Sequence, residues 1–239
     1  MITDLRDIKK SCTVCGGSGF ILKPDGDDLV LDDCTCLLEI ARRVQLIKAN
    51  IPKQYWDFGI DNMDGSFPQN NVESMDVVRE FIEDLPRKLE GGYGLWFNSP
   101  PGLGKSTCIC SILVAAIKRG YRAYYTKSFW AVQKRWAALR DQRAAYDVDA
   151  MLRSDILAVE EMEKIYLSES DDSLNNKMFF DFLMDTYDSK KSLLVSSNIP
   201  IDTVLKKFPT YVGDRLRLLT EVKFRGETAR KRQKKKGIR

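Results

Sequence analysis

Apolar residues recur along the chain in blocks whose spacing alternates between helical and strand-like periods. Leu37, Ile40, Ala41, Val44 and Ile47 form a stripe that predicts a helix over 37–50, closed by Ile51 and Pro52. Pro52, Tyr55, Trp56 and Phe58 make a short aromatic entry segment, and 61–71 is turn-rich. Met75, Val78, Phe81, Ile82 and Leu85 then mark one face of a helix expected to stop before Pro86. Leu95, Trp96 and Phe97 are β-prone, and 105–118 is apolar nearly all round, as in a helix buried against a sheet and ended by Gly120. Further strands are predicted at 121–126, 155–159 and 193–197, with helices at 128–147 and 174–187. In the first of these helices Phe129, Val132, Trp136 and Leu139 share a face expected to enter the core. Strands and helices in this alternation predict an α/β fold, a parallel sheet flanked by helices.

Composition adds little to that picture except at the ends. The chain of 239 residues is 44% hydrophobic and 30% charged, ordinary values for one sizeable core with a small appendage. The first ten residues are charged and lack an apolar signal core, and the longest apolar run, 108–117, is broken by Ser111 and too short to span a bilayer. A cytoplasmic location without membrane attachment is the resulting expectation. Histidine is absent, which excludes imidazole chemistry. The stretch 228–239 carries seven basic side chains and no acid; without them the net charge of +4 becomes −3. Such a tail reads either as a solvated end or as a surface for phosphate backbones.

Four of the six cysteines crowd into the first forty residues: Cys12-x2-Cys15, with Gly16, Gly17 and Gly19 behind it, then Cys34-x-Cys36. Glycines there let backbone amides fold back toward thiolates, as in a zinc knuckle. The intervening 20–22 and 29–31 flank the turn residues Pro24, Asp25 and Gly26 and predict a short hairpin. A closed structural zinc site on Cys12, Cys15, Cys34 and Cys36 is the reading; two disulfides are the alternative in an oxidising compartment. Cys108 and Cys110 fall in the buried helix and should be inert.

The sharpest chemistry follows the strand at 95–97. Ser99, Pro100, Pro101, Gly102, Leu103, Gly104, Lys105, Ser106 and Thr107 match the phosphate-binding loop pattern, with Ser99 in place of its first glycine. Glycines let amides curl round a polyphosphate, and the next helix turns its positive end toward that charge. Lys105 would neutralise the β- and γ-phosphates, and Ser106 would offer a hydroxyl to magnesium. The strand at 155–159 ends in Glu160 and Glu161, where such a site needs one acid for the magnesium shell and one to activate water. Glu160 takes the first role and Glu161 the second. A solvated acidic turn, with Glu163 adding to it, is the plain alternative. Asn198, at the end of the next strand, is the group chosen to hold the attacking water. Next to Asp214, Arg215 and Arg217 place guanidinium groups on a helix, for transition-state charge or for surface salt bridges.

Taken together, these motifs resemble the DnaC/DnaI-type helicase loaders of the AAA+ superfamily and the related IstB-type transposition ATPases. The resemblance implies a zinc-binding module at 1–36, a connecting helix at 37–50, an AAA+ ATPase domain at 51–227 with little or no helical lid, and a basic tail at 228–239. It implies ATP, Mg2+ and Zn2+ as cofactors, ATP hydrolysis slowed by the Ser99 and Glu160 departures, an arginine finger at Arg215 and a sensor arginine at Arg230. It also implies self-association, a hexameric replicative helicase as partner, and single-stranded DNA met by Lys134, Arg135 and the tail. A transposition regulator on duplex DNA and an ATP-binding adaptor with little turnover are the other readings.

Overall fold

The computed structural model describes residues 2–26, 28–60, 71–166, 173–206 and 208–226, with backbone only at 2–4, 165–166 and 173–176. Most of the turn-rich stretch and the whole basic tail, with Arg230, lie outside them. The chain divides into two compact units, 1–48 and 49–239.

In the first unit the elements are α1 (Ile2–Lys10), β1 (Phe20–Asp25), β2 (Asp28–Asp33) and α2 (Thr35–Lys48). Strands β1 and β2 form the expected antiparallel hairpin, pairing Leu22 with Leu31 and Pro24 with Leu29. Helix α2 begins earlier than its apolar stripe implies, so Cys36 sits in its first turn.

The second unit runs α3 (Val72–Glu83), α4 (Leu85–Glu90), β3 (Leu95–Asn98), α5 (Lys105–Lys118), β4 (Ala123–Lys127), α6 (Ser128–Ala138), α7 (Gln142–Leu152) and β5 (Ile156–Glu160). It continues with α8 (Met162–Tyr166), α9 (Ser173–Asp188), β6 (Ser192–Ser197), α10 (Ile201–Leu205), α11 (Thr210–Leu216) and β7 (Thr220–Lys223). Its five strands form one sheet in the order β4-β5-β6-β3-β7, with every pairing parallel. This is the expected α/β fold. Strand β3 leads by α5 to the far edge at β4, while β6 leads past β3 to β7, so the chain turns both ways from the β3–β6 pair. In open sheets ligands bind outside the carboxyl ends of the strands at such a switch point.

The structure departs from the sequence reading in several places. Helix α3 ends at Glu83, before Pro86 as expected, but Leu85 belongs to the next helix, α4, in whose first turn Pro86 lies, where its missing N–H costs nothing. The helix read over 128–147 is two, because the Asp141 side chain accepts from the Arg143 amide at 2.8 Å and starts α7 afresh. The core face assigned to α6 is wrong. Of its four residues only Val132 is buried, while Phe129, Trp136 and Leu139 are 49%, 39% and 71% exposed. The helix is rotated so that Ser128, Ala131 and Val132 face inward; the Ser128 hydroxyl donates to the Glu161 carbonyl at 2.7 Å. Strand β7 escaped notice because Thr220, Glu221 and Lys223 are polar and only Val222 is buried.

Candidate functional sites

The carboxyl ends of β3, β5 and β6 open onto a cavity of about 380 Å³. From the phosphate-loop motif it is lined by Pro101, Gly102, Gly104, Lys105, Ser106 and Thr107, from the strand ends by Glu160, Glu161, Ser196 and Asn198, and at its mouth by Tyr55. Gly102 and Gly104 take left-handed φ values of 82° and 92°, which only glycine adopts without strain, and Gly104 hands the chain straight into α5. Ser99 has no positive φ, so its side chain carries no backbone cost at the position where the motif has glycine. Ser99, Pro100 and Leu103 do not line the cavity. Ser99 and Leu103 are buried beneath it, and the Ser99 and Pro100 carbonyls accept from Lys105 Nζ, Pro100 at 3.2 Å.

Lys105 therefore arrives at the cavity already positioned. Its ammonium also donates to Asn198 Oδ1 at 2.8 Å. Burial lowers its pKa, against the opposing pull of Glu163 and Glu160. Asn198 in turn donates through Nδ2 and its backbone N–H to the Glu163 carboxylate, the latter at 3.2 Å. An ionised carboxylate only accepts, so Glu163 fixes which way the Asn198 amide faces and hence that its oxygen meets Lys105. Glu163 is a buried positioning residue, not part of a solvated turn.

The paired acids sit in unlike surroundings. Glu160 is buried; Tyr125 Oη donates to its Oε2 at 2.6 Å, while Oε1 is shut off from solvent with no hydrogen-bond partner among the described residues. Burial raises its pKa, partly offset by Tyr125 and Ser106. An unsatisfied carboxylate oxygen beside the Ser106 hydroxyl is a donor set suited to a hard divalent cation, so both residues fit magnesium. Glu161 stands at φ 59°, a left-handed position rare for its type. Its carboxylate is held by Lys127 at 3.1 Å and Lys164 at 2.7 Å. Burial would raise its pKa, but the two lysines outweigh it and hold the group below the ordinary carboxylate range.

Arg215 is not brought to this cavity. It lies on α11, with Nη1 donating to the Tyr211 carbonyl at 2.8 Å and the guanidinium 5.0 Å above the Tyr187 ring. Neither does it form a salt bridge among the described residues. Lys134 and Arg135 are engaged within the chain, Lys134 with Asp147 at 2.7 Å and Arg135 with Asp185 at 3.0 Å.

In the first unit the sulfurs of Cys12, Cys15, Cys34 and Cys36 lie within 4.8 Å of one another, and all are free thiols. Cys12 and Cys34 are 3.7 Å apart, Cys15 and Cys36 3.6 Å. Four thiolates at the usual Zn–S distance would be separated by about 3.8 Å, so the cluster fits zinc. The Gly19 amide donates to Cys15 Sγ at 3.2 Å. Burial opposes ionisation of Cys15, but the Gly19 and Gly17 amides prevail and bring its pKa to about 6, while desolvation pushes Cys36 up to about 12. Cys108 and Cys110 lie inside α5, where burial raises both thiols.

Comparison with known proteins places this geometry. A crystal structure of the DnaC helicase loader superposes with a TM-score of 0.60 at 18% identity, covering 73% of this chain and 100% of that one. The DnaI crystal structure gives 0.59 at 14%, over 73% of this chain and 94% of that one. AMPPCP-bound DnaA from Aquifex aeolicus gives 0.58 at 18%, over 79% and 57%. At these identities the likeness is one of fold, the AAA+ phosphate-loop fold. A Sinorhizobium fredii protein described as an insertion sequence ATP-binding protein is 24% identical over 121 residues, 51% of this chain. The matched stretch is 39% of that relative's length. The model of the family described as IstB-like ATP binding protein matches residues 93–237, from just before β3 through the end of the sheet. The chain belongs to the IstB/DnaC-like family of ATP-binding proteins.

Proposed function

We propose that this protein is an ATP-dependent loader that binds a hexameric replicative helicase and helps place it on single-stranded DNA. The observation that carries the reading is a fold that covers the whole chain in the DnaC helicase loader crystal structure and whose phosphate loop, paired acids and Asn198 converge on one cavity. ATP bound there would supply a polyphosphate whose charge the Gly102 to Thr107 amides and Lys105 meet, with Ser106 and Glu160 holding magnesium. Glu161 is the base for hydrolysis, and Lys127 and Lys164 hold it away from that task until they let go. A carboxylate paired with two lysines is a weaker base, so turnover would be slow at rest. Arg215 would act on a neighbouring copy, after leaving Tyr187. The domain bounds read from the sequence, the finger and the role of each acid belong to this proposal.

A separate recognition surface supports a protein partner. Residues directly opposite in a hairpin share a face, so Phe20, Leu22, Leu29 and Leu31 present one apolar, exposed surface. That face is our candidate for the helicase contact. Pull-down of the replicative helicase encoded by the same genome tests the loader reading. Capture that survives in the wild type and is lost on Leu22→Asp with Leu31→Asp supports it, and absence of capture with ATP present overturns it. The insertion-sequence relative favours a second reading, a regulator coating duplex DNA. Preference for duplex over single-stranded oligonucleotides would decide for that one.

The single-strand contact itself moves relative to the sequence reading. With Lys134 and Arg135 paired internally, the exposed aromatic and cationic groups on α6, α7 and the turn between them include Phe129, Trp130, Trp136, Arg140, Arg143 and Tyr146. Phe129 and Trp130 meet edge to face at 5.9 Å. Aromatic faces beside cations suit bases and phosphates, with stacking worth about 1–3 kcal/mol per base. Trp130→Ala with Phe129→Ala is expected to weaken oligonucleotide binding about tenfold or more at constant salt slope. Arg140→Glu with Arg143→Glu should flatten that slope. Fluorescence anisotropy across a salt series reads both; unchanged affinity in both variants rejects this surface.

A further inference from the structure

The far end of the sheet, at the amino ends of its strands, holds a second cavity of about 320 Å³. Its walls are apolar, with Leu183 and Met184 from α9, Leu193 from β6, Val212 and Leu216 from α11, and Leu219 before β7. Two cations, Arg215 and Lys191, reach the lining, and no acidic side chain does. We propose that this cavity is a binding site for a small apolar carboxylate, whose hydrocarbon body fills the leucine-walled space and whose carboxylate pairs with Arg215.

The arginine supplies the argument. Arg215 Nε is shut off from solvent and has no hydrogen-bond partner among the described residues. A buried donor without an acceptor is disfavoured, and a guanidinium all the more so. The Tyr187 ring at 5.0 Å and the Tyr211 carbonyl hold the group in place, so the covered Nε is turned from the cavity and the guanidinium meets the lining by its other edge. A guanidinium without a carboxylate partner in the lining is matched by a ligand carboxylate. Lys191 cannot fill the role from within the chain, since its ammonium is spent on the Leu152 and Ser154 carbonyls, the latter at 3.0 Å. It adds positive charge without a counter-ion in the lining. Entry is open at the rim, where Tyr93, Tyr187 and Leu218 are exposed. Size and character match ordinary ligand cavities, apolar with a few polar groups that fix orientation. The inference goes beyond the loader reading and stands without it.

Isothermal titration of the full chain with decanoate, below its micelle concentration, tests the proposal against decanol as the uncharged comparator. One decanoate should bind per chain, with decanol about tenfold weaker or more, the size of a charge-assisted pair. Arg215→Met should erase the preference for the acid, and Arg215→Lys should restore part of it. Val212→Trp should remove binding of both by filling the space. If decanoate fails to bind, if acid and alcohol bind alike, or if Arg215→Met keeps the preference, the proposal is wrong. Should the arginine variants not fold, the wild-type comparison of acid with alcohol and the Val212→Trp result decide the matter.

Discussion

Serine at Cys12 or Cys34 is expected to cost the 1–48 unit its fold. This unit has little else to hold it. Val14, Leu22, Leu29, Leu31 and Leu38 are all exposed, so few apolar side chains are taken from water. The four sulfurs already stand within 4.8 Å of one another, and four thiolates this close repel one another unless a cation sits among them. Zinc would contribute about 10–16 kcal/mol of apparent binding energy, more than the whole net stability of many domains of this size. Elemental analysis should find one zinc per chain. Hydrogen exchange should show 2–48 losing protection on chelation or on Cys12→Ser, while the sheet at 95–223 keeps its own. Because protons compete with the metal for thiolates, zinc affinity should fall as pH falls. Metal-free protein with unchanged protection would remove the metal from the account.

Lys105→Ala is expected to abolish measurable nucleotide binding at micromolar concentrations. The ammonium is the one cation lining the phosphate cavity among the described residues. Removing it deletes charge-assisted hydrogen bonds to two phosphates, each about 1.5–3 kcal/mol, or about 100-fold or more in affinity together. The Ser99 and Pro100 carbonyls and Asn198 Oδ1 also lose their shared donor, so the loop loosens as well. Glu161→Gln should behave oppositely, keeping nucleotide bound and stopping turnover, because an amide cannot take a proton from water. Titration with a fluorescent nucleotide, alongside phosphate release, separates the two. Retained binding in Lys105→Ala, or normal turnover in Glu161→Gln, would mean that these side chains have other roles.

Much of this site could be read from the chain because its logic is local. A phosphate loop is a run of adjacent residues, and the glycines that matter, Gly102 and Gly104, do adopt the left-handed values that the motif requires. Glu160 and Glu161 announced themselves by following an apolar strand. Glu163 did not, since its importance comes from Asn198, thirty-five residues further on, which turns an apparent surface acid into a buried acceptor. Tyr125 was hidden in the same way, as one more β-prone residue until its hydroxyl is seen on Glu160. The face of α6 failed for the opposite reason. Its aromatic residues have core-like spacing, but Ala131 and Val132 were small enough to take the inner side. Burial follows fit to the sheet, and periodicity alone does not say which of two apolar faces fits.

The position of β3 has a consequence for how the chain acquires its nucleotide site. Leu95 pairs with Leu194 on one side and with Thr220 on the other, so neither neighbour of the phosphate-loop strand exists until nearly the whole chain has been made. Parallel pairings at such separation close large loops before any contact rewards them, and they form slowly. The cysteine unit is local by comparison, its sulfurs all within the first thirty-six residues. On the ribosome the amino-terminal unit can therefore mature early, while Leu95–Asn98 waits as an unpaired, largely apolar strand. A chain truncated before β7 would retain its whole phosphate-loop motif and still leave β3 with an open edge, a template for aggregation in place of a binding site.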